Sequence, residues 1–100
     1  MPSFRTEVPH ELGQEQAVDR LKDFLDKVAE RYKDQVSKLE GNWDQNTLNF
    51  ELTTYGFTIS GVLAVEEELA LLEGKLPFAA VAFRGKIEQS IGQELKKALA

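Results

Sequence analysis

The sequence predicts an α+β domain: a curved antiparallel sheet with two helices packed on one face. Three observations carry that expectation. A long stretch after the first few residues has apolar side chains at helical spacing. The middle of the chain then switches to strict alternation, in short runs separated by turn formers. The last stretch returns to helical spacing. A meander with one apolar face needs a cover, and two one-faced helices provide it.

The first run, Phe4 to Val8, alternates Phe4, Thr6 and Val8 with Arg5 and Glu7, and Pro9 ends it because proline cannot donate to a ladder. From Gln14 to about Lys33 the spacing predicts one continuous helix. Ala17, Val18, Leu21, Phe24, Leu25, Val28, Ala29 and Tyr32 form its apolar stripe. A straight helix of that length would measure about 30 Å. Gly13 is the expected N-cap, Leu12 and Ala17 have hydrophobic-staple spacing, and Gln16 falls at the third helical position. Asp23 and Lys27 are one turn apart and set to pair.

Alternation begins near Val36. Ser37 to Trp43 reads as a strand, followed by the turn formers Asp44-Gln45-Asn46. Thr47 to Tyr55 alternates cleanly, with Leu48, Phe50 and Leu52 inward, and Gly56 supplies the next turn. Phe57, Ile59, Gly61, Leu63 and Val65 are the inward set of the following strand. Glu66-Glu67-Glu68 is a hairpin tip, and Ala70, Leu72, Gly74 and Leu76 make the last strand. Gly61 and Gly74, inside strands, mark a bend, a bulge or a place of close approach. Pro77 breaks the meander. After an apolar stretch from Phe78 to Phe83, Ile87, Ile91, Leu95 and Leu99 define a second helix from about Arg84 to the end, with Lys96 and Lys97 suited to its C-terminal dipole.

The order is therefore β-α-β-β-β-β-α, one domain over residues 1–100. The first strand is expected to pair antiparallel with the last, and the long helix to cross to the opposite edge. This arrangement resembles the TATA-binding-protein-like and helix-grip-like topologies, an analogy of fold that implies no function.

Composition narrows the function classes. The chain has a net charge of -5, and its basic residues are scattered among the acidic ones, so no nucleic-acid partner is expected. Arg84 and Lys86 are the one local basic patch. With no cysteine, disulfides, thiolate zinc sites and cysteine nucleophiles are excluded. The first residues have no apolar signal core, and no apolar run is long enough for a membrane span, so a cytoplasmic protein is expected.

Motifs for catalysis are sparse. His10 is the one histidine, and it reads as a corner residue capping backbone groups rather than a general base. The Glu66-Glu67-Glu68 run lacks the spread of oxygen ligands a calcium loop needs and reads as a solvated turn. Glu40, Glu51 and Glu73 are expected on the solvent face. Gly-x-Ser-x-Gly and glycine-rich phosphate loops are absent. No catalytic residue, metal ligand or cofactor is therefore assigned. Trp43 and Tyr55, at strand ends, read as caps on the core with a wet polar tip. Phe78 to Phe83 admits two readings. The more ordinary one is a turn tucked over the end of the sheet, burying both phenylalanines. The other is an exposed apolar patch with a basic rim, which makes Phe78, Val81, Phe83, Arg84 and Lys86 the candidate interaction surface.

Several short motifs carry a family resemblance. Pro9-His10-Glu11-Leu12-Gly13 leads into Ala17-Val18-Asp19-Arg20; later come Leu76-Pro77-Phe78 and Phe83-Arg84-Gly85-Lys86-Ile87-Glu88. Together these resemble the bacterial polyhydroxyalkanoic acid system family, over nearly the whole chain. The resemblance implies association with polyhydroxyalkanoate granules; taken with the apolar Phe78 to Phe83 segment, it makes a granule surface, a granule protein or a second copy of the chain the expected partner. It carries over no catalytic residue, and it leaves Gly85 a structural role, close packing at the helix start.

Three functions follow as expectations. The first is a non-enzymatic accessory protein acting through its apolar segment. The second is a small hydrophobic-ligand binder of helix-grip type, with a pocket of ~300 Å³ or more between helix and sheet, where inward glycines leave a gap. The third is an acyl-ester or thioester enzyme using His10, which requires a nucleophile or paired carboxylate beside that ring.

Overall fold

A computed structural model describes residues 2–100. Its five strands form one open antiparallel sheet: β1 (Ser3–Pro9), β2 (Val36–Asp44), β3 (Thr47–Thr54), β4 (Phe57–Val65) and β5 (Leu69–Lys75), in the order β1-β5-β4-β3-β2. The first strand pairs with the last, with Phe4 opposite Gly74 and Val8 opposite Ala70. The hairpins β2–β3 and β3–β4 are closed by two-residue turns, Gln45-Asn46 and Tyr55-Gly56. The expected architecture, an antiparallel sheet with helical cover, is the one observed.

The predicted long helix is two helices. α1 (Gln14–Leu21) and α2 (Phe24–Arg31) are separated at Lys22 and Asp23, where Asp23 leaves helical geometry with φ -104° and ψ 17°. No proline or glycine marks the break. Asp is a weak helix former, and tertiary packing decides at such positions. Here Leu21 and Phe24, on either side of the bend, are both buried. Gly13 is the N-cap, and the Asp23–Lys27 pair forms at 3.6 Å on an exposed face. The arm runs from the β1 edge to the β2 edge, α1 contacting β4 and α2 contacting β2.

Phe78–Phe83 is a 3-10 segment leading directly into the last helix, α3 (Arg84–Leu99), which lies against β1 and α1. The core sits between helices and sheet. Phe4, Leu48, Ile59, Leu63 and Leu72 from the strands meet Ala17, Leu21, Phe24 and Leu95 from the helices. Glu40, Glu51 and Glu73 are exposed on the other face.

One row crosses the whole sheet: Phe4, Gly74, Gly61, Phe50 and Gly41 are successive cross-strand partners. A Cβ on Gly61 would lie 2.6 Å from the Phe50 ring, and one on Gly74 would overlap the Phe4 ring. Of the roles expected for these glycines, close approach is the one found. The expected gap beneath them does not exist, because the two rings fill it. Gly85 corrects its expectation too: a Cβ there would meet no atom within 4 Å, so close packing is not its role.

Candidate functional site

The 3-10 segment is pinned at its inner side. Leu76 and Ala80 are fully buried, Leu76 donates to the Pro2 carbonyl at 2.8 Å, and Ala80 donates to the Pro77 carbonyl at 2.9 Å. Its outer side is open: Phe78 is 79% exposed and Phe83 42% exposed, with Val81 half-buried between them. The expectation that both phenylalanines are buried is therefore corrected. Ala80 is the residue of this six-residue segment that turns inward, and the two rings fall on its outer side.

Phe83 faces Tyr55 and Phe57 across the end of the sheet. Its ring stacks on Tyr55 with centroids 6.1 Å apart and tilts against Phe57 at 6.2 Å. Tyr55 is 57% exposed and holds φ 51°, the left-handed region that the two-residue turn demands of both its members. The expectation that Tyr55 caps the core is therefore corrected, whereas Trp43 does pack against the core.

Behind these aromatics lies an apolar cleft of about 130 Å³ between α2, α3 and the β3–β4 hairpin. Leu52, Phe57 and Ile59 form its floor, with Val28 on one wall and Ile87 and Ile91 on the other. It is smaller than the expected pocket and stands at the end of the sheet, away from the glycine row. Its polar lining includes Tyr32 and Glu94. Glu94 is only 6% exposed; its Oε1 accepts the Tyr32 hydroxyl at 3.3 Å and lies 3.4 Å from Arg31 Nε. Burial first, then the Glu94 carboxylate, raises the Tyr32 phenol above its ordinary value of 10.0. Glu94 follows Ile91 by three and Ile87 by seven, and Tyr32 follows Val28 by four. A polar tip on each of two facing stripes was thus a readable signal.

Arg84 and Lys86 are both exposed, and they do different things. Arg84 donates to the Ser3 carbonyl at 3.3 Å, while Lys86 borders the cleft. One turn beyond Arg84, Glu88 Oε2 accepts the backbone N–H of Arg5 at 2.8 Å.

His10 is buried, with both ring nitrogens engaged by the backbone. Nε2 donates to the Glu66 carbonyl at 2.9 Å, and Nδ1 accepts the Leu12 N–H at 3.2 Å. This assigns the Nε2–H tautomer and ties the β4–β5 tip to the start of α1. Glu67 strengthens that tie by accepting the Gln14 N–H at 3.3 Å. Among the described residues no cluster of histidine, aspartate and glutamate is placed to hold a metal, and no helix is long and apolar enough to cross a membrane.

The family model described as "Putative polyhydroxyalkanoic acid system protein" matches residues 5–99. No curated protein matches the chain by sequence. Among solved structures, TTHA0849 from Thermus thermophilus aligns with a TM-score of 0.59 at 16% identity, covering 98% of this chain and 94% of that one. DynU16, from the dynemicin biosynthetic locus, aligns with a TM-score of 0.68 at 11% identity over 98% of this chain and 45% of its own. At these identities the two structures establish a shared fold.

Proposed function

The chain belongs to the polyhydroxyalkanoic acid system protein family, and from that premise we propose that it is a non-enzymatic, cytoplasmic accessory protein that docks on polyhydroxyalkanoate granules. The observation that carries the reading is the open side of the 3-10 segment, where Phe78 is 79% exposed and Phe83 42% exposed on a backbone anchored by Leu76 and Ala80. A rigid apolar projection suits a polymer surface. Fully burying one such ring is worth roughly 1.5–3 kcal/mol, so a pair supports reversible attachment. Lys86 beside it gives the patch a cationic rim, suited to the carboxylate ends of polyester chains. The test is co-sedimentation of the purified chain with polyhydroxyalkanoate particles. Phe78→Ser with Phe83→Ser should abolish sedimentation while circular dichroism and the melting curve stay near wild type. Undiminished sedimentation would end the proposal.

A second reading has its own observation, the cleft of about 130 Å³ behind Phe83. A single acyl chain entering past the Tyr55–Phe83 stack would make the domain a small hydrophobic-ligand binder. Ile87→Trp fills that cleft without touching Phe78. It should block a fluorescent fatty-acid probe and leave particle binding intact if the ligand reading holds. Unchanged probe binding by this variant would remove it.

A further inference from the structure

The two edges of the sheet are finished differently. Along β1 several of the outward backbone groups are covered or missing. Ser3 O receives Arg84, Arg5 N–H is bound by Glu88, and Pro9 has no N–H to offer. β2, at the other end, has no strand beyond it among the described residues, and most of its residues are exposed.

Which groups of β2 point outward follows from its turn. Asp44 and Thr47 close a two-residue hairpin, so they form a hydrogen-bonded pair, and such pairs alternate along an antiparallel ladder. Lys38, Glu40, Asn42 and Asp44 therefore bond to β3, and Leu39, Gly41 and Trp43 present their N–H and C=O groups outward. The regular part of the strand begins at Lys38, just after the irregularity at Ser37, and ends at Asp44.

Read about Gly41, that segment is self-complementary. Lys38 and Asp44 are equidistant from it with opposite charge, Leu39 and Trp43 are equidistant and apolar, and Glu40 and Asn42 complete the set. We propose that β2 pairs antiparallel with β2 of a second copy, with Gly41 on the twofold axis, to form a continuous ten-stranded sheet. Leu39, Gly41 and Trp43 then exchange all their outward hydrogen bonds with Trp43, Gly41 and Leu39 of the other copy. Lys38 faces Asp44 at both ends of the seam, and the half-buried Leu39 and Trp43 meet on the helical side.

The competing account is that Lys38 and the Ser37 irregularity protect a free edge, as lysines and bulges commonly do. The charge pattern decides between them. A pairing centred on Lys38 opposes two lysines, and one centred on Glu40 opposes two glutamates. A pairing centred on Leu39 runs through the irregularity and leaves Trp43 unbonded. The Gly41-centred register avoids all of these, so the same lysine that rejects other partners selects this one. A contact limited to one strand pair belongs to the small, transient class of interfaces.

The test uses the full chain in sedimentation equilibrium across a concentration series, with emission of Trp43 read in parallel. The wild type should self-associate to a dimer, and its emission should shift to the blue as it does so. Lys38→Glu alone and Asp44→Lys alone should each weaken the dimer by ~10-fold or more, since each turns two attractive cross-strand pairs into repulsive ones. The double swap should restore it. Leu39→Pro removes an outward N–H and no bond to β3, so it should give a folded monomer. A wild type that stays monomeric at every concentration, or single swaps with wild-type association, or a double swap that fails to restore it, would overturn the proposal.

Discussion

The backbone N–H of Arg5 is bound 2.8 Å from Glu88 Oε2, so a helix carboxylate stands where a sixth strand would otherwise pair. Arg84 and Glu88, one turn apart on α3, reach two outward groups of β1, the Ser3 carbonyl and the Arg5 N–H. Glu88→Ala should cost roughly 1 kcal/mol, the usual net worth of one hydrogen bond, and should expose the β1 edge. Urea denaturation should show a lower midpoint at unchanged slope, and light scattering should show aggregation that the wild type lacks. A variant with wild-type midpoint and scattering would mean the edge needs no cover.

The paired glycines make a sharper claim. Gly61 and Gly74 face each other across β4 and β5, and the rings of Phe50 and Phe4 lie over them. Backbone also closes in, with Glu73 O 2.7 Å from a Cβ on Gly61 and Ser60 O 2.7 Å from one on Gly74. Neither neighbour can retreat without moving the sheet. Gly61→Ala and Gly74→Ala should each destabilise by about 1–3 kcal/mol, as overpacking does, although alanine is otherwise the gentlest replacement. Thermal melts would check it, and an unchanged melting temperature would show that the rings move aside at no cost.

Those glycines also show what sequence could and could not reveal. Alternation placed Leu48, Phe50, Leu52, Ile59, Leu63 and Leu72 on the inner face, where they are, because strand periodicity depends only on the backbone. The family motifs likewise pointed at Glu88 and Arg84 without indicating their purpose. What Gly61 and Gly74 accommodate was not legible, since Phe4 and Phe50 reach them through strand register, which the pattern does not fix. The break at Asp23 was hidden for a similar reason. Leu21, Phe24, Leu25 and Val28 keep helical spacing through it, and the bend answers to packing of Leu21 and Phe24 rather than to a local breaker. The cleft needs α2 and α3 placed side by side, so the polar tips Tyr32 and Glu94, though visible on their own stripes, do not locate a site until the two helices are brought together.

Tyr32 contributes to the response to alkali. Burial, and next the Glu94 carboxylate, raise its phenol above the ordinary 10.0. The unfolded chain therefore loses this proton first, near pH ~10, while the folded chain still holds it. Where the unfolded state binds fewer protons, stability falls as pH rises. The contribution is fully present below the unfolded pKa and is lost as pH climbs through the folded one. Tyr32→Phe has no such proton, so its melting temperature should decline less than that of the wild type between about pH 9 and pH 11. Parallel declines would show that Tyr32 titrates alike in both states.

His10→Ala tests whether the imidazole is structural. The variant leaves the Glu66 carbonyl and the Leu12 N–H without their partners in two part-buried hydrogen bonds, so it should lose about 1–3 kcal/mol. His10→Gln keeps a donor near the same carbonyl and should recover part of that loss. Hydrogen exchange should quicken first at the β4–β5 tip and the start of α1, the two segments the ring joins. If stability and exchange were unaltered in the alanine variant, the ring would have no fastening role, and His10 would return as a candidate for chemistry.

Tyr55 is held against its own backbone preference. A non-glycine residue at φ 51° carries about 1–2 kcal/mol of strain, and a bulky side chain is an unusual choice there. Asparagine followed by glycine is the preferred pair for such a turn, so Tyr55→Asn relieves strain. It also removes the stack on Phe83, but that stack is more than half exposed on the Tyr55 side and worth less than a buried one. The variant should therefore melt higher than the wild type. If an apolar ligand enters beside Phe83, the same variant should bind the fatty-acid probe more weakly, because one jaw of the opening is gone. Higher stability with weaker binding would mean that Tyr55 is kept for the cleft at the expense of the turn. Lower stability would mean that the Tyr55–Phe83 contact outweighs the strain and holds the 3-10 segment to the sheet.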